Sequence, residues 1–326
     1  MEKTIVITTI NPPKAEIEKF SKLSGWEVIC VGDKKTPANW KKDKVTYLSP
    51  SKQAKIFPKM SETIPWSSYA RKNIGYLYSI DQGAKIIAET DDDVFPYSNY
   101  PKNIIKNKNL TVLSGPKFIN IYNFFGNNGA WPRGFPLNFI NNKSVVKKKK
   151  VRVLALIQNS LIDQDSDFDA IYRLISNQKV KFMKKGEFAI KKGSYCPFNT
   201  QNTFFHLEVF PLLYIPCLVN LRVADIWRGY VAQRILWEMG GNLTFMHTTT
   251  YTKDRNGHDY INDFKGELPL FLQTNQLIDI LDSLSLNKNP STSLLKVYKK
   301  LVTAGIFVKE EIKILETWLK TLEKLH

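Results

Sequence analysis

The feature that most constrains the fold is a short apolar run that ends in three aspartates. Residues 84–89 are Ala-Lys-Ile-Ile-Ala-Glu, and Thr90-Asp91-Asp92-Asp93 follow directly. A short run rich in isoleucine and preceded by Gly83 is typical of a buried strand. Because open α/β sheets bind ligands at the carboxyl ends of their strands, this run predicts a ligand site at the aspartates.

The start of the chain has a β-α-β pattern. Residues 3–10 and 26–31 are rich in β-branched and apolar side chains, and the stretch near 14–23 between them has helical character. A further helix is expected from Ser67 or Ser68, a plausible N-cap, to about residue 82. We therefore predict an α/β fold with a Rossmann-type central sheet and flanking helices.

The remaining segments are assigned more coarsely. Residues 94–150 predict loops and short strands, because they are rich in Asn, Pro and Gly. The other expected elements are a strand at 151–158, a helix at 170–176, a partly strand-like stretch at 211–224, a helix that Asp225 opens and that runs to 239, and a strand at 242–248. Residues 268–326 predict two or three amphipathic helices. We expect two domains, 1–266 and a C-terminal helical appendage at 267–326.

Composition indicates a globular protein of a reducing compartment. Hydrophobic residues make up 43% and charged residues 24% of the 326 residues, and the N-terminus lacks the sections of a signal peptide. No apolar run approaches the roughly 18 residues of a membrane span. The three cysteines, at positions 30, 196 and 217, have no paired spacing, which argues against a disulfide framework or a cysteine zinc site. We expect a cytoplasmic chain.

The net charge of +17 suits an anionic partner. Lysines number 39 and arginines 8, whereas proteins that recognise specific bases depend on arginine. The excess therefore favours a phosphate-attracting surface or peripheral contact with an acidic membrane, and no nucleic-acid partner is expected. A non-catalytic basic binding protein is the alternative class, and its binding would weaken with salt.

The aspartates have the chemistry of a metal site. Carboxylates close together at a strand end suit Mg²⁺ or Mn²⁺ that also holds a nucleotide diphosphate, although a solvated turn gives the same pattern. His258 could complete the coordination that Asp91 and Asp93 begin, and His247 competes with it. The alternating aspartates at 163–169 lack the glycine and glutamate of a calcium loop, so we reject an EF-hand.

Several longer strings are similar to one known family. They are Pro65-Trp66-Ser67-Ser68-Tyr69-Ala70-Arg71-Lys72-Asn73-Ile74-Gly75-Tyr76-Leu77, Thr90-Asp91-Asp92-Asp93, Trp131-Pro132-Arg133-Gly134, Asp167-Phe168-Asp169-Ala170-Ile171-Tyr172-Arg173-Leu174, Pro197-Phe198-Asn199-Thr200-Gln201-Asn202-Thr203, Asp225-Ile226-Trp227-Arg228-Gly229-Tyr230 and the Arg255 to Asp259 segment. In this order they resemble the STELLO family of glycosyltransferases over about residues 4–265. Plant members carry an N-terminal membrane anchor that does not appear here, so their Golgi location is not carried over.

The resemblance implies a GT-A-like nucleotide-sugar transferase domain at 1–266. Such an enzyme uses Mn²⁺ or Mg²⁺ and moves a sugar from a nucleotide-diphospho-sugar donor to a hydroxyl of a glycan or glycolipid, here expected with inversion. A weaker similarity to reversibly glycosylated polypeptides leaves a nucleotide-sugar mutase as an alternative. Metal ligands would be Asp91, Asp93 and His258.

The remaining expected roles combine this resemblance with the position of each residue in the predicted fold. Asp225 would be the catalytic base, with Arg228 one turn on orienting it or a phosphate, and with Asp167 and Asp169 as rival carboxylates. Sugar or acceptor contacts would come from Trp131, Arg133, Asn199 and Trp227, although both tryptophans equally suit the core. The expected donor-binding residues are Thr8, Thr9, Asn11, Asp33, Arg71, Lys72, Asn73, Asp91, Asp92 and Arg255.

Overall fold

The computed structural model describes residues 1–176, 178–183, 186–253 and 259–325, and within these ranges one ten-stranded mixed sheet forms the centre of the protein. The strands are β1 (Lys3–Thr9), β2 (Glu27–Gly32), β3 (Val45–Leu48), β4 (Ile86–Thr90), β5 (Val94–Pro96), β6 (Asn107–Ser114), β7 (Lys147–Gln164), β8 (Glu187–Ile190), β9 (Asn202–His206) and β10 (Asn242–Thr252). Their spatial order is β3-β2-β1-β4-β9-β7-β6-β8-β10-β5.

Helices flank this sheet and fill the C-terminal end of the chain. They are α1 (Ala15–Ser21), α2 (Pro50–Ile56), α3 (Pro58–Thr63), α4 (Lys72–Asp81), α5 (Ala170–Ile175), α6 (Leu221–Glu238), α7 (Tyr260–Ser283), α8 (Pro290–Thr303) and α9 (Glu310–Leu325). The expectation of an α/β protein with a central sheet, flanking helices and C-terminal helices is confirmed. In the described part of the chain, no helix has the length and apolar character needed to cross a bilayer.

The first half of the sheet is parallel, and this places its strand ends together. Strand β1 pairs in parallel with β2 and β4, and β2 pairs in parallel with β3. The carboxyl ends of β1, β2 and β4 therefore meet at one edge, where Thr9, Gly32 and Thr90 lie. Beyond β4, strand β9 runs antiparallel to both β4 and β7, so the sheet changes direction beside the aspartate triplet.

Local signals at the helix before β4 match the prediction. The Ser68 hydroxyl caps the turn by accepting a hydrogen bond from the backbone N–H of Ala70, and Gly83 ends the segment with φ +80°. A residue with that φ is strained unless it is glycine. The helix N-cap and the terminating glycine are therefore both confirmed.

Two segments differ from the prediction. Residues 211–224 contain no strand: a 3₁₀ helix spans Leu207–Leu213, and α6 begins at Leu221. The Asn220 side chain caps α6 by accepting from the backbone N–H of Arg222 at 2.9 Å. Asp225 therefore lies in the second turn of the helix and does not open it, because Asn220 caps the helix five residues earlier.

The C-terminal helices are packed into the rest of the protein. Helix α7 starts at Tyr260, so the expected division between 266 and 267 falls inside a helix, and that division stays a prediction. From α9, the buried Glu311 accepts from the backbone N–H groups of Cys217 and Leu218, and burial raises the pKa of its carboxyl. These bonds fix the segment that leads into α6.

His206 gives the fold a testable pH dependence. Burial lowers the pKa of His206 to about 4, and its ring nitrogen lies 3.1 Å from the Gln158 amide nitrogen. The folded protein thus binds this proton less well than the unfolded chain, so the contribution of neutral His206 to stability is lost as pH falls from about 6.5 toward about 4.

We expect the stability difference between wild type and His206→Gln to shrink by up to about 3 kcal/mol across that pH window. Urea unfolding at several pH values measures it. Wild type must be compared with the variant because Asp169 also titrates in this window. Burial raises the pKa of Asp169 to about 6, and this stabilises the folded protein as pH falls, opposite to the effect of His206. A difference that is constant with pH would contradict the expectation.

Candidate functional site

A two-lobed cleft opens at the edge where the parallel strands end. Its first lobe has a volume of about 530 Å³ and is lined by Thr8, Thr9, Ile10, Asn11, Val31, Gly32, Asp33, Lys35, Ser67, Ser68, Tyr69, Arg71, Asp92 and Leu221. Its second lobe, of about 260 Å³, is lined by Thr8, Tyr69, Asp91, Asp92, Asp93, Arg133, Thr200, Gln201, Leu221, Arg222 and Asp225. Four of these residues line both lobes, so the two lobes form one continuous groove.

Asp92 connects the end of β4 to the loop after β1. Its carboxylate accepts hydrogen bonds from the Thr9 hydroxyl and from the Asn11 amide at 2.9 Å, and Lys14 lies 3.3 Å away. These donors come from the last residue of β1 and from the loop that follows it. The middle aspartate therefore holds the wall of the first lobe in place.

Asp91 is paired with a buried lysine. The Lys72 side chain is fully buried, and its ammonium donates to the backbone carbonyl of Thr90 and to the Asp91 carboxylate, both at 2.8 Å. Asp91 keeps 27% of its side chain exposed to the cleft. A buried ammonium of this kind fixes the end of β4 and compensates part of the negative charge of the triplet.

The residues present fit a metal that keeps several other ligands. Among residues 1–176, 178–183, 186–253 and 259–325, no three His, Cys, Asp or Glu side chains form a group that could hold a metal ion. Asp91 and Asp93 nevertheless offer carboxylate oxygens on the second lobe. Mg²⁺ is commonly bound by one or two carboxylates together with water and substrate phosphate, and this donor set suits it.

Arg133 is shared between two buried carboxylates. Its Nε donates to Asp167 at 2.8 Å, while its terminal nitrogens donate to Asp225 at 3.1 and 2.8 Å. Burial alone would raise the pKa of Asp167, but the Arg133 charge lowers it to about 2. Asn199 donates to the other oxygen of Asp167 at 2.9 Å. Of the two carboxylates, only Asp225 lines the second lobe.

Three expected site residues have structural partners in the core. Arg228 forms a bidentate pair with Glu89 at 3.0 and 2.6 Å. Its guanidinium is therefore engaged with Glu89 and does not orient Asp225. Asn73 exchanges hydrogen bonds with the backbone of Ile215. Trp227 is buried and packs edge-on against Phe307, so it presents no face to the cleft.

Trp131 and Arg71 are also held by protein partners. The Trp131 indole donates to Asp169, which in turn caps α5 through the backbone N–H of Tyr172. Arg71 touches the first lobe, but its guanidinium donates to Gln53 and stacks on the Trp66 ring. Burial lowers the pKa of Arg71 to about 10. Arg255 and His258 lie outside the described residues, and the rival His247 is part of β10.

Five residues of the second lobe were not among the expected site residues: Tyr69, Thr200, Gln201, Leu221 and Arg222. The first three lie inside the family-like strings, and that position was the available signal. Burial and the neighbouring Asp91 and Asp225 keep the pKa of Tyr69 well above its ordinary value. Tyr69 therefore carries a phenolic proton at neutral pH.

Some buried polar atoms of this cleft find no hydrogen-bond partner among the described residues. They are one carboxylate oxygen of Asp33, the Tyr69 hydroxyl and the amide oxygen of Gln201. The other oxygen of Asp33 accepts from the backbone N–H of Ser67 at 2.8 Å. Buried polar groups in native proteins are nearly always paired, so unpaired atoms on residues that line a groove indicate where a ligand supplies partners.

Tyr69 and Tyr76 provide a matched pair for testing this point without a ligand. We expect Tyr69→Phe to change the unfolding free energy by less than about 0.5 kcal/mol, because its hydroxyl has no partner to lose. Tyr76→Phe should cost about 1.5–3 kcal/mol, because that hydroxyl donates to the buried Glu89 carboxylate. Urea unfolding measures both, and equal losses would contradict the assignment.

Comparisons with known proteins agree with the motifs. A model of the family described as STELLO glycosyltransferases matches residues 222–326. Two Arabidopsis thaliana proteins, named "Probable glycosyltransferase STELLO2" and "Probable glycosyltransferase STELLO1", are each 27% identical to this chain over 98% of its length. The aligned region covers 44% of each plant protein, so the chain spans less than half the length of these relatives.

The similarity also extends beyond the residues 4–265 on which it was first seen, because it includes the C-terminal helices. These matches confirm the predicted resemblance: the chain is similar to the STELLO glycosyltransferases over almost its whole length.

Proposed function

We propose that this chain is a glycosyltransferase that moves a sugar from a nucleotide-diphospho-sugar to a hydroxyl of a glycan or glycolipid. The observation that carries the proposal is the set of unpaired buried atoms of Asp33, Tyr69 and Gln201, which lie along one groove at the carboxyl edge of the sheet. A ligand that spans both lobes would satisfy all three. A nucleotide joined to a sugar through a diphosphate has that elongated form.

The nucleoside would occupy the first lobe. The unpaired oxygen of Asp33 is an acceptor and calls for an N–H donor, which the base edges of uracil and guanine provide. Thr8, Thr9 and Asn11 line the same lobe and offer further polar contacts. The exposed Lys35 gives this lobe a positive charge that suits phosphate.

The diphosphate would lie where the two lobes meet. Asp91 and Asp93 would hold Mn²⁺ or Mg²⁺ there, with His258 as the expected third protein ligand. When bound, such an ion neutralises negative charge on phosphate oxygens. Tyr69 lines both lobes, and its hydroxyl would donate a hydrogen bond to an oxygen of the sugar-phosphate linkage. Lys72 would act indirectly, by holding Asp91.

Asp225 would accept the proton of the attacking hydroxyl. It lines the second lobe, and the two-point contact with Arg133 fixes the plane of its carboxylate. Inverting transfer needs a base on the face of the sugar opposite the diphosphate, and a positioned carboxylate typically contributes 10²–10⁴ in rate. Arg133 would thus orient the base, the role that the sequence had suggested for Arg228.

Donor and metal binding can be tested by calorimetry with UDP- and GDP-sugars, each with and without Mn²⁺. We expect wild type to bind one of these donors more tightly with Mn²⁺ and Asp93→Ala to lose at least about tenfold in affinity, because one carboxylate ligand is missing. The control is Asp43→Ala, which removes an exposed aspartate that lines neither lobe. Equal affinity in both variants would contradict the metal assignment, and no donor binding at all would contradict the proposed function.

The base can be tested with two variants that disturb the same ion pair. Asp225→Asn and Asp167→Asn each remove a carboxylate partner of Arg133, so both should lower the unfolding free energy by several kcal/mol. We expect only Asp225→Asn to slow single-turnover sugar transfer by at least about a hundredfold while donor affinity stays within about threefold of wild type.

The comparison separates a catalytic from a structural role. Similar rate losses in the two variants would show that the reaction slows because the ion pairing of Arg133 is disturbed, and not because the Asp225 carboxylate itself is lost. A product with retained anomeric configuration would remove the need for a base on that face. Binding that is salt-sensitive and indifferent to Asp91 would instead favour a non-catalytic basic protein.

A further inference from the structure

Helix α7 has a second apolar face that nothing in the described protein covers. Ile261, Leu268 and Leu272 are 54%, 37% and 75% exposed. Phe264 and Phe271, both partly exposed, stack with their ring centroids 5.8 Å apart. These positions recur at helical spacing and differ from those that face the core, such as Leu270 and Leu277.

Helix α5 extends this apolar face. Its last two residues, Leu174 and Ile175, are 45% and 73% exposed. The two helices are packed together, since the Ala170 N–H donates to Glu267 at 2.8 Å and the Arg173 guanidinium lies 5.5 Å from the Tyr260 ring centroid. The exposed end of α5 therefore lies beside the start of α7, and we call the combined surface the α5–α7 face.

The exposed charged side chains beside this face are mostly lysines, with the exposed Asp259 at the N-cap of α7 as the acidic exception. Lys265 is exposed and lies between Ile261 and Leu268 on the same side of α7. The two acidic residues of this part of the helix turn inward, where Arg222 contacts Glu267 at 2.9 Å and Asp263 at 3.7 Å. The segment after α5 adds two more exposed lysines, at 179 and 181.

We propose that the α5–α7 face docks on an anionic bilayer surface. A helix that lies in a membrane interface combines aliphatic and aromatic side chains with lysines, and α7 presents this combination over about three turns. The net charge of +17 adds long-range attraction to anionic lipids. This inference does not rest on the sugar-transfer reaction.

The face has a short connection to the cleft. Arg222 lines the second lobe, and its guanidinium contacts the inner side of α7 through Asp263 and Glu267. One helix diameter, about 10 Å, therefore separates the cleft wall from the docked face. Docking in this way would place the second lobe near the membrane surface.

Vesicle co-sedimentation of the full chain tests the proposal. We expect binding to vesicles of phosphatidylserine and phosphatidylcholine, little binding to phosphatidylcholine alone, and weakening at high salt. Ile175→Ser combined with Leu272→Ser should weaken binding at least about tenfold, because both side chains lose apolar area to bury. Lys265→Glu should also weaken it.

The matched control is Ile105→Ser combined with Val308→Ser, two similarly exposed apolar residues, 59% and 49%, outside the α5–α7 face. This control should bind vesicles as wild type does. No binding to anionic vesicles by wild type, or equal loss in both double variants, would overturn the proposal. Concentration-dependent self-association in light scattering that only Ile175→Ser with Leu272→Ser abolishes would overturn it in favour of a second copy.

Discussion

The arrangement of the cleft depends on one buried guanidinium. Arg133 reaches Asp167, which follows β7, and Asp225, which belongs to α6, so a single side chain holds the second lobe against the sheet. Breaking a buried ion pair leaves an uncompensated charge and typically costs 3–5 kcal/mol. The carboxylate that faces the cleft is thus held in place by the same contacts that join the elements around it.

A second buried ion pair supports the first from inside the protein. Glu89, on β4, accepts from Arg228 on α6 and from the Tyr76 hydroxyl on α4. Asp225 and Arg228 are three residues apart and so share a face of α6, which Asp225 links to Arg133 and Arg228 links to β4. The aspartate triplet lies just beyond Glu89. Helix α6 therefore sets the distance between the triplet and Asp225, and Glu311 of α9 fixes the segment from which α6 starts.

The sequence predicted β1, β2, β4 and the helix before β4, because these depend on local signals, whereas β3 and the helices α2 and α3 were not predicted. The apolar run before Asp91, the Ser68 cap and Gly83 each determine the backbone around them. Strand β9 was missed because its residues, Asn-Thr-Phe-Phe-His, show no alternation and are buried on both faces. The start of α6 was misplaced because Asn220 and Asp225 are both good caps, and only tertiary contacts decide between them.

The site residues show what a motif can and cannot indicate. The family-like strings located the right region, since Asp91, Asp93, Arg133 and Asp225 all line one lobe. The same strings also contain Trp131, Asn73 and Arg228, which hydrogen-bond to groups inside the protein. Residue type cannot separate the two groups, because an arginine suits both a phosphate and a buried glutamate.

A better guide than residue type is whether a polar atom already has a hydrogen-bond partner inside the protein. Arg228 and the Trp131 indole hydrogen-bond to buried carboxylates of the fold itself, so a ligand would have to compete with those bonds. The hydroxyl of Tyr69 and the free oxygen of Asp33 have no such bond to lose. Because binding is favoured where a ligand supplies a missing partner, residues of the second kind are the better guide to what this cleft holds.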